Sequence, residues 1–134
     1  MTNVQSQSTS NPCSIAQAAA AAALTGDQAC VEAMRVAFEK RHDYVVAALN
    51  KINGISCLPS AGTFYCFPSV RGVIERMPGM ENDIALAEYL LDKGGVALVP
   101  GAAFGGHGHL RISFATDMAT LEKAIARIAA AVSP

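Results

Sequence analysis

The chain has 134 residues, of which 51% are hydrophobic and 16% charged, and its formal net charge is -1. That length suits one domain, able to bury roughly two-thirds of its unfolded surface without disulfides or metal. The balanced charge, with no basic run, argues against nucleic acid or an anionic membrane as a partner, and the longest apolar run, residues 18–24, is too short to span a bilayer.

Residues 1–12 are rich in Ser, Thr, Asn and Gln and end at Pro12. They read as extended chain or loop, without the features of a signal peptide, so the expected location is cytoplasmic. Pro12 or Cys13 opens a short helix to about Leu24, dominated by alanine and its high helix propensity. Such a helix lets another backbone come close but buries little area by itself, so it belongs inside a larger structure. Thr25 and Gly26 end it.

Asp27 suits the N-cap of a long helix over residues 28–53, with Gly54 as its C′ residue. Met34, Phe38, Val45, Leu49 and Ile52 mark its apolar face. Residues 55–58 form a short extended segment halted by Pro59. Residues 63–67 read as a strand stopped by Pro68, and residues 69–82, with Gly72, Pro78 and Gly79, read as a loop. Ile84, Ala87, Leu90 and Leu91 mark a helix over residues 83–93, closed by Gly94 and Gly95. Residues 96–99 read as a buried strand and residues 100–108 as a glycine-rich loop. The last helix covers residues 117–132, where Leu121, Ile125, Ile128 and Val132 draw an amphipathic stripe.

In the stretch from His109 to Ala115, apolar Leu110, Ile112 and Phe114 alternate with His109, Arg111 and Ser113. Successive strand side chains point to opposite faces, so Arg111 stands opposite the core. A planar guanidinium held on a strand after a glycine-rich loop suits bidentate capture of a carboxylate or phosphate. A solvated arginine on an open sheet face is the plain alternative. The whole order gives an α+β domain, a small and mostly antiparallel sheet with helices packed on one face, preceded by a short Ala-rich helix and a long helix. The other face, with Arg111, looks outward.

Cys13, Cys30, Cys57 and Cys66 contain no C-x-x-C pair, which suits free thiols rather than a zinc site or disulfide framework. His107 and His109 lack a third ligand of suitable spacing, so no metal is expected, and surface loop histidines are the plainer account. The low charge content, against roughly 25% in ordinary domains, fits either a surface covered by another part or an apolar count swollen by alanine.

The stretch Gln5-Ser6-Gln7-Ser8-Thr9-Ser10-Asn11-Pro12, with Ile15-Ala16-Gln17 after it, resembles the segment opening the final third of class I pyridoxal-phosphate aminotransferases, more narrowly the bacterial aspartate aminotransferase branch. Gly62-Thr63-Phe64-Tyr65, Val99-Pro100-Gly101-Ala102-Ala103-Phe104-Gly105 and Leu110-Arg111-Ile112-Ser113-Phe114-Ala115 continue the likeness in order, over essentially the whole chain. The resemblance implies a transaminase moving an amino group between an amino acid, with aspartate a candidate, and a 2-oxo acid on pyridoxal 5'-phosphate in a homodimer. It implies that Arg111 binds the substrate α-carboxylate, that Phe64 and Tyr65 wall the substrate, and that Ser8, Thr9 or Ser10 offers a hydroxyl to the cofactor phosphate of the partner subunit. For any one of these three hydroxyls, a polar loop capping the alanine helix is the competing account. For the aromatic pair it is core packing.

The family's Schiff-base lysine lies in a serine/lysine segment followed by G-x-R, and none of Lys40, Lys51, Lys93 or Lys123 sits in one. No catalytic residue is therefore assigned within this chain. The expectation is a C-terminal portion, inactive and without cofactor by itself. Residues 1–27 would belong to or contact the missing large domain, and residues 28–134 would form the small domain. Met1 falls on a position internal to the family, which suggests a piece of a longer enzyme. The alternative is a non-catalytic α+β module that binds a small carboxylate or a protein.

Overall fold

A computed structural model of the chain describes residues 2–8 and 11–133. It divides into two compact units, Met1–Arg35 and Val36–Pro134. The first carries α1 (Thr2–Ser8), α2 (Ser14–Thr25) and the start of α3 (Ala29–Leu49). The second carries the rest of α3, β1 (Tyr65–Cys66), α4 (Arg71–Arg76), α5 (Asp83–Asp92), β2 (Val99–Pro100), a 3-10 turn (Gly101–Phe104), β3 (Leu110–Ser113) and α6 (Met118–Ala131).

In the first unit, α1 and α2 bury no residue. Helix α1 corrects the expectation of a loop at residues 2–8, while residues 11 and 12 lie outside any helix or strand and residues 1, 9 and 10 lie outside the described residues. Its serines satisfy their own donors inside the helix, Ser6 Oγ donating to the Asn3 carbonyl at 3.0 Å and Ser8 Oγ to that of Val4 at 2.9 Å. Asp27 acts at the start of α3 as expected, its carboxylate accepting from Ala29 N–H at 3.0 Å. Met34 is exposed instead of lying on the buried face of that helix.

In the second unit, three antiparallel strands lie in the order β1-β3-β2. Tyr65 pairs with Ser113 and Cys66 with Ile112, while Val99 pairs with Arg111 and Pro100 with Leu110. The core-facing residues of β3 and its extension, Leu110, Ile112 and Phe114, are buried with Val45 and Leu49 of α3, Leu86 and Leu90 of α5, and Leu121, Ile125 and Ile128 of α6. Each such side chain withdrawn from water contributes about 1.5–3 kcal/mol before the entropy of ordering it.

Several boundaries differ from the pattern. Helix α3 ends at Leu49 rather than near 53, and Gly54 turns the chain with a φ of 84° against the backbone of Gly72, where a Cβ would not fit. The strand expected at 63–67 shrinks to Tyr65–Cys66, because Thr63 has a φ of 76° and leaves the extended region. The loop expected at 69–82 contains α4, whose Arg76 guanidinium donates to the carbonyls of Asn53 at 2.9 Å and Val132 at 2.7 Å. The strand expected at 96–99 is reduced to Val99–Pro100 on a sheet edge, where proline's missing N–H costs no ladder bond. All four cysteines are free, Cys13 and Cys30 exposed, Cys57 and Cys66 buried. Among the described residues no helix is long and apolar enough to cross a membrane.

Candidate functional site

Arg111 occupies the position that the alternation predicts, between buried Leu110 and buried Ile112 and on the opposite face of β3. The strand register explains its neighbours. Tyr65 faces Ser113, so it is the diagonal neighbour of Arg111 on the open side of the sheet. The guanidinium carbon lies 5.6 Å from the Tyr65 ring centre and 4.7 Å from that of Phe104. Both distances permit attraction between the cation and the negative ring faces. Among the described residues no hydrogen bond or ion pair engages the Arg111 guanidinium. Its donors are free for an incoming anion.

The aromatic pair read from the sequence is built around Tyr65. Phe64 meets the Tyr65 ring edge-on, with 5.4 Å between centres, and remains exposed. Its carbonyl accepts from Phe114 N–H at 2.9 Å, which ties the turn to the end of β3. The preceding turn is held by His42. Ser60 N–H donates to Nε2 at 3.1 Å, so the proton sits on Nδ1, 3.0 Å from the Asp43 carboxylate.

The glycine-rich segment before β3 is a closed loop. Gly101 N–H donates to the His109 carbonyl at 2.8 Å, and Gly106 N–H to the Gly101 carbonyl at 2.9 Å. A Cβ at Gly101 would run into the backbone of Gly106 and His109, so only glycine permits this crossing. The loop amides of Ala102 and Gly108 donate to the Asp83 carboxylate at 2.7 and 3.1 Å. Burial alone would raise the Asp83 pKa, but these bonds, one from its own N–H and the proximity of His107 outweigh it and hold the carboxyl below its usual range. His109 is not a plain surface histidine. It stacks on Phe67 at 5.0 Å with an interplanar angle of 5°, and His107 is exposed. Among the described residues no three His, Cys, Asp or Glu side chains are grouped to hold a metal ion.

Of the hydroxyl candidates, Ser8 lies in α1 with its Oγ donating to the Val4 carbonyl, so it serves a phosphate only after turning away from that bond. Thr9 and Ser10 lie outside the described residues. Lys40, Lys51, Lys93 and Lys123 are all exposed, unlike the desolvated setting that activates a Schiff-base lysine. Two residues escaped the pattern. Phe104 stood inside a quoted motif without a role, and Asp83 was only the first position of the helix expected over residues 83–93.

Comparison with known proteins follows the same course. A protein from Nitrosomonas europaea named aspartate/prephenate aminotransferase is 51% identical over 99% of this chain and 35% of its own length. One of that name from Cereibacter sphaeroides is 46% identical over 97% of this chain and 34% of its own length. The crystal structure of the aspartate aminotransferase from Rhizobium meliloti superposes with a TM-score of 0.87 at 44% identity, covering 96% of this chain and 33% of that one. The chain thus spans about a third of the length of these relatives. The family described as aminotransferase class I and II matches residues 1–128, and to that family, over its C-terminal portion, this chain belongs.

Proposed function

We propose that the chain acts as the C-terminal part of a pyridoxal-phosphate-dependent aminotransferase and that Arg111 binds the α-carboxylate of the amino acid and 2-oxo acid substrates. The observation that carries this reading is the Arg111 guanidinium itself, flanked by Phe104 and Tyr65 and, among the described residues, without a carboxylate of its own. A guanidinium matches a carboxylate with two parallel bonds. The rings restrict water on its flanks, which strengthens the attraction. Holding the carboxylate fixes the Cα–H bond relative to the groups that remove its proton. Tyr65, with Phe64 against it, forms the adjoining wall of the substrate space.

Pyridoxal 5'-phosphate, when bound, stores the amino group between the two half-reactions. Ser8, Thr9 and Ser10 are the residues of this chain assigned to its phosphate, donated across a homodimer to the partner subunit. The lysine that attaches the cofactor belongs to a part of the enzyme this chain does not contain, so the chain alone is inactive. The described residues within 2–27 are exposed throughout, which supports their assignment to a surface against the large domain, with residues 28–134 as the small domain. An enzyme acting on aspartate fits the names of the relatives.

The test is reconstitution. The chain is fused to the N-terminal part of the Nitrosomonas relative, and amino transfer from L-aspartate to a 2-oxo acid is followed. The expected result is activity in the fusion and none in the chain alone. In the fusion, Arg111→Ala lowers kcat/KM about a hundred-fold or more, the loss of two charge-assisted bonds of about 1.5–3 kcal/mol each. Arg111→Lys restores only part, because one ammonium cannot make the paired contact. Equal activity in all three versions overturns the assignment.

A further inference from the structure

The loop between β2 and β3 is pinned by a residue that lies far from it in sequence. Asp83, at the first turn of α5, is 1% exposed. Its Oδ2 accepts from Ala102 N–H at 2.7 Å and its Oδ1 from Gly108 N–H at 3.1 Å. These two amides stand on either side of Phe104 in the chain. One carboxylate therefore clamps both shoulders of the segment that presents the ring. The clamp has no slack, because a buried carboxylate is tolerated only while its bonds are made. The start of α5 adds the favourable end of a helix dipole. Beyond the clamp, Gly105 turns with a φ of 72°, and Phe104 meets Phe67 edge-on with 6.3 Å between ring centres. The Phe104 ring is then 4.7 Å from the Arg111 guanidinium carbon.

We propose that Asp83 is a positioning residue for substrate binding: by clamping Ala102 and Gly108 it fixes the Phe104 ring over Arg111 and so sets the direction in which the guanidinium meets a carboxylate. This rests on the reading of Arg111 as the carboxylate anchor. A rigid ring beside the guanidinium removes rotamers that an arginine on an open sheet face would otherwise sample, so less order is lost when the anion binds. Asp83 touches neither substrate nor cofactor. It acts through the loop.

The experiment follows the Arg111 Nε–Hε signal of the 15N-labelled chain by NMR relaxation, together with amide exchange at Ala102 and Gly108. In Asp83→Asn one acceptor oxygen becomes a donor, and exchange at these two amides is expected to accelerate about tenfold. Arg111 Nε–Hε gains nanosecond mobility, while amides of α6 keep their shifts. Phe104→Leu, at an exposed position, is expected to loosen Arg111 in the same way and leave the Ala102 and Gly108 amides protected. It decides the matter should Asp83→Asn fail to fold. Ile128→Val lowers stability without moving Arg111, which separates positioning from a general structural role. An Arg111 signal unchanged in Phe104→Leu, or in a folded Asp83→Asn, overturns the proposal. In the reconstituted enzyme Asp83→Asn raises KM about tenfold with a smaller change in kcat. A KM that Arg111→Ala leaves unchanged, with Arg111 still loosened by Asp83→Asn, sinks the anchor reading and with it the role of Asp83 in substrate binding, and leaves only the clamp on the loop. A KM raised by Arg111→Ala but not by Asp83→Asn sinks the positioning role alone.

Discussion

Arg76 and Arg111 place the same side chain in opposite employments. Arg76 spends its guanidinium on the Asn53 and Val132 carbonyls and joins the ends of α3 and α6. Among the described residues Arg111 meets only ring faces, and its donors stay available. Asp83 has a third kind of role, and its chemistry gives a pH dependence. Folding lowers its carboxyl pKa, so the ionised form stabilises the fold. That contribution is complete above the unfolded value of about 3.9 and is lost as pH falls through the lower folded value. Amide exchange at Ala102 and Gly108, corrected for intrinsic rates, is therefore expected to quicken below about pH 4 in the native chain. In Asp83→Asn it is expected to be fast at every pH. Equal protection of these amides in the native chain and in Asp83→Asn at neutral pH would show that the charge is not what holds the loop. Strand alternation made Arg111 legible, because alternation is a local property of the backbone. Asp83 was not legible, because its partners lie 19 and 25 positions along the chain and no local pattern encodes that distance.

At the scale of elements, helices with a long apolar stripe and a cap behave as their sequences imply. Helix α6 buries Leu121, Ile125 and Ile128, and Asp117 caps it through Thr120 N–H at 2.9 Å. Helix α5 is capped by Asn82, whose Oδ1 accepts from Ile84 and Ala85 N–H, both at 3.0 Å. Ile128→Ala is expected to cost about 2–5 kcal/mol, since it leaves a cavity in a close-packed core. Asn82→Ala is expected to cost about 1 kcal/mol, since it removes only the cap. Urea denaturation of the two variants measures both, and a larger loss for Asn82→Ala would mean that the α5 cap holds the fold more strongly than a core side chain of α6. The elements that the pattern hid are short or atypical. Helix α4 has six residues with Gly72 inside, too few for a period to show. Helix α1 has a single large apolar residue, Val4, so no stripe marks it. The sheet was legible as a class but not in length, since β1 and β2 are two residues each and are defined by their pairing with β3.

For the whole molecule the relevant contrast is between the two units. Every described residue from Thr2 to Val36 is exposed, including Ile15, Leu24 and Val31, whereas Val36–Pro134 holds the entire buried cluster. Helix α2 has 12 residues, and isolated helices shorter than about 12–15 residues are marginal in water even when rich in alanine. Local opening free energies follow buried contact, so the two units should exchange hydrogen on different scales. In the chain alone, amides of residues 14–25 are expected to exchange within about tenfold of unstructured peptide, while those of α6 open only with global unfolding. In the reconstituted enzyme the amides of residues 14–25 slow by several orders of magnitude, because the proposed role of residues 1–27 is to lie against the large domain. The same contrast predicts that limited proteolysis trims the chain within its first 35 residues and leaves the remainder folded. Equal protection of α2 and α6 in the chain alone would remove the need for a covering domain. Unchanged exchange on reconstitution would place the cover elsewhere. The low charge content found at the outset takes its meaning from this experiment: an Ala-rich surface that gains protection in the larger assembly is a surface meant to be buried.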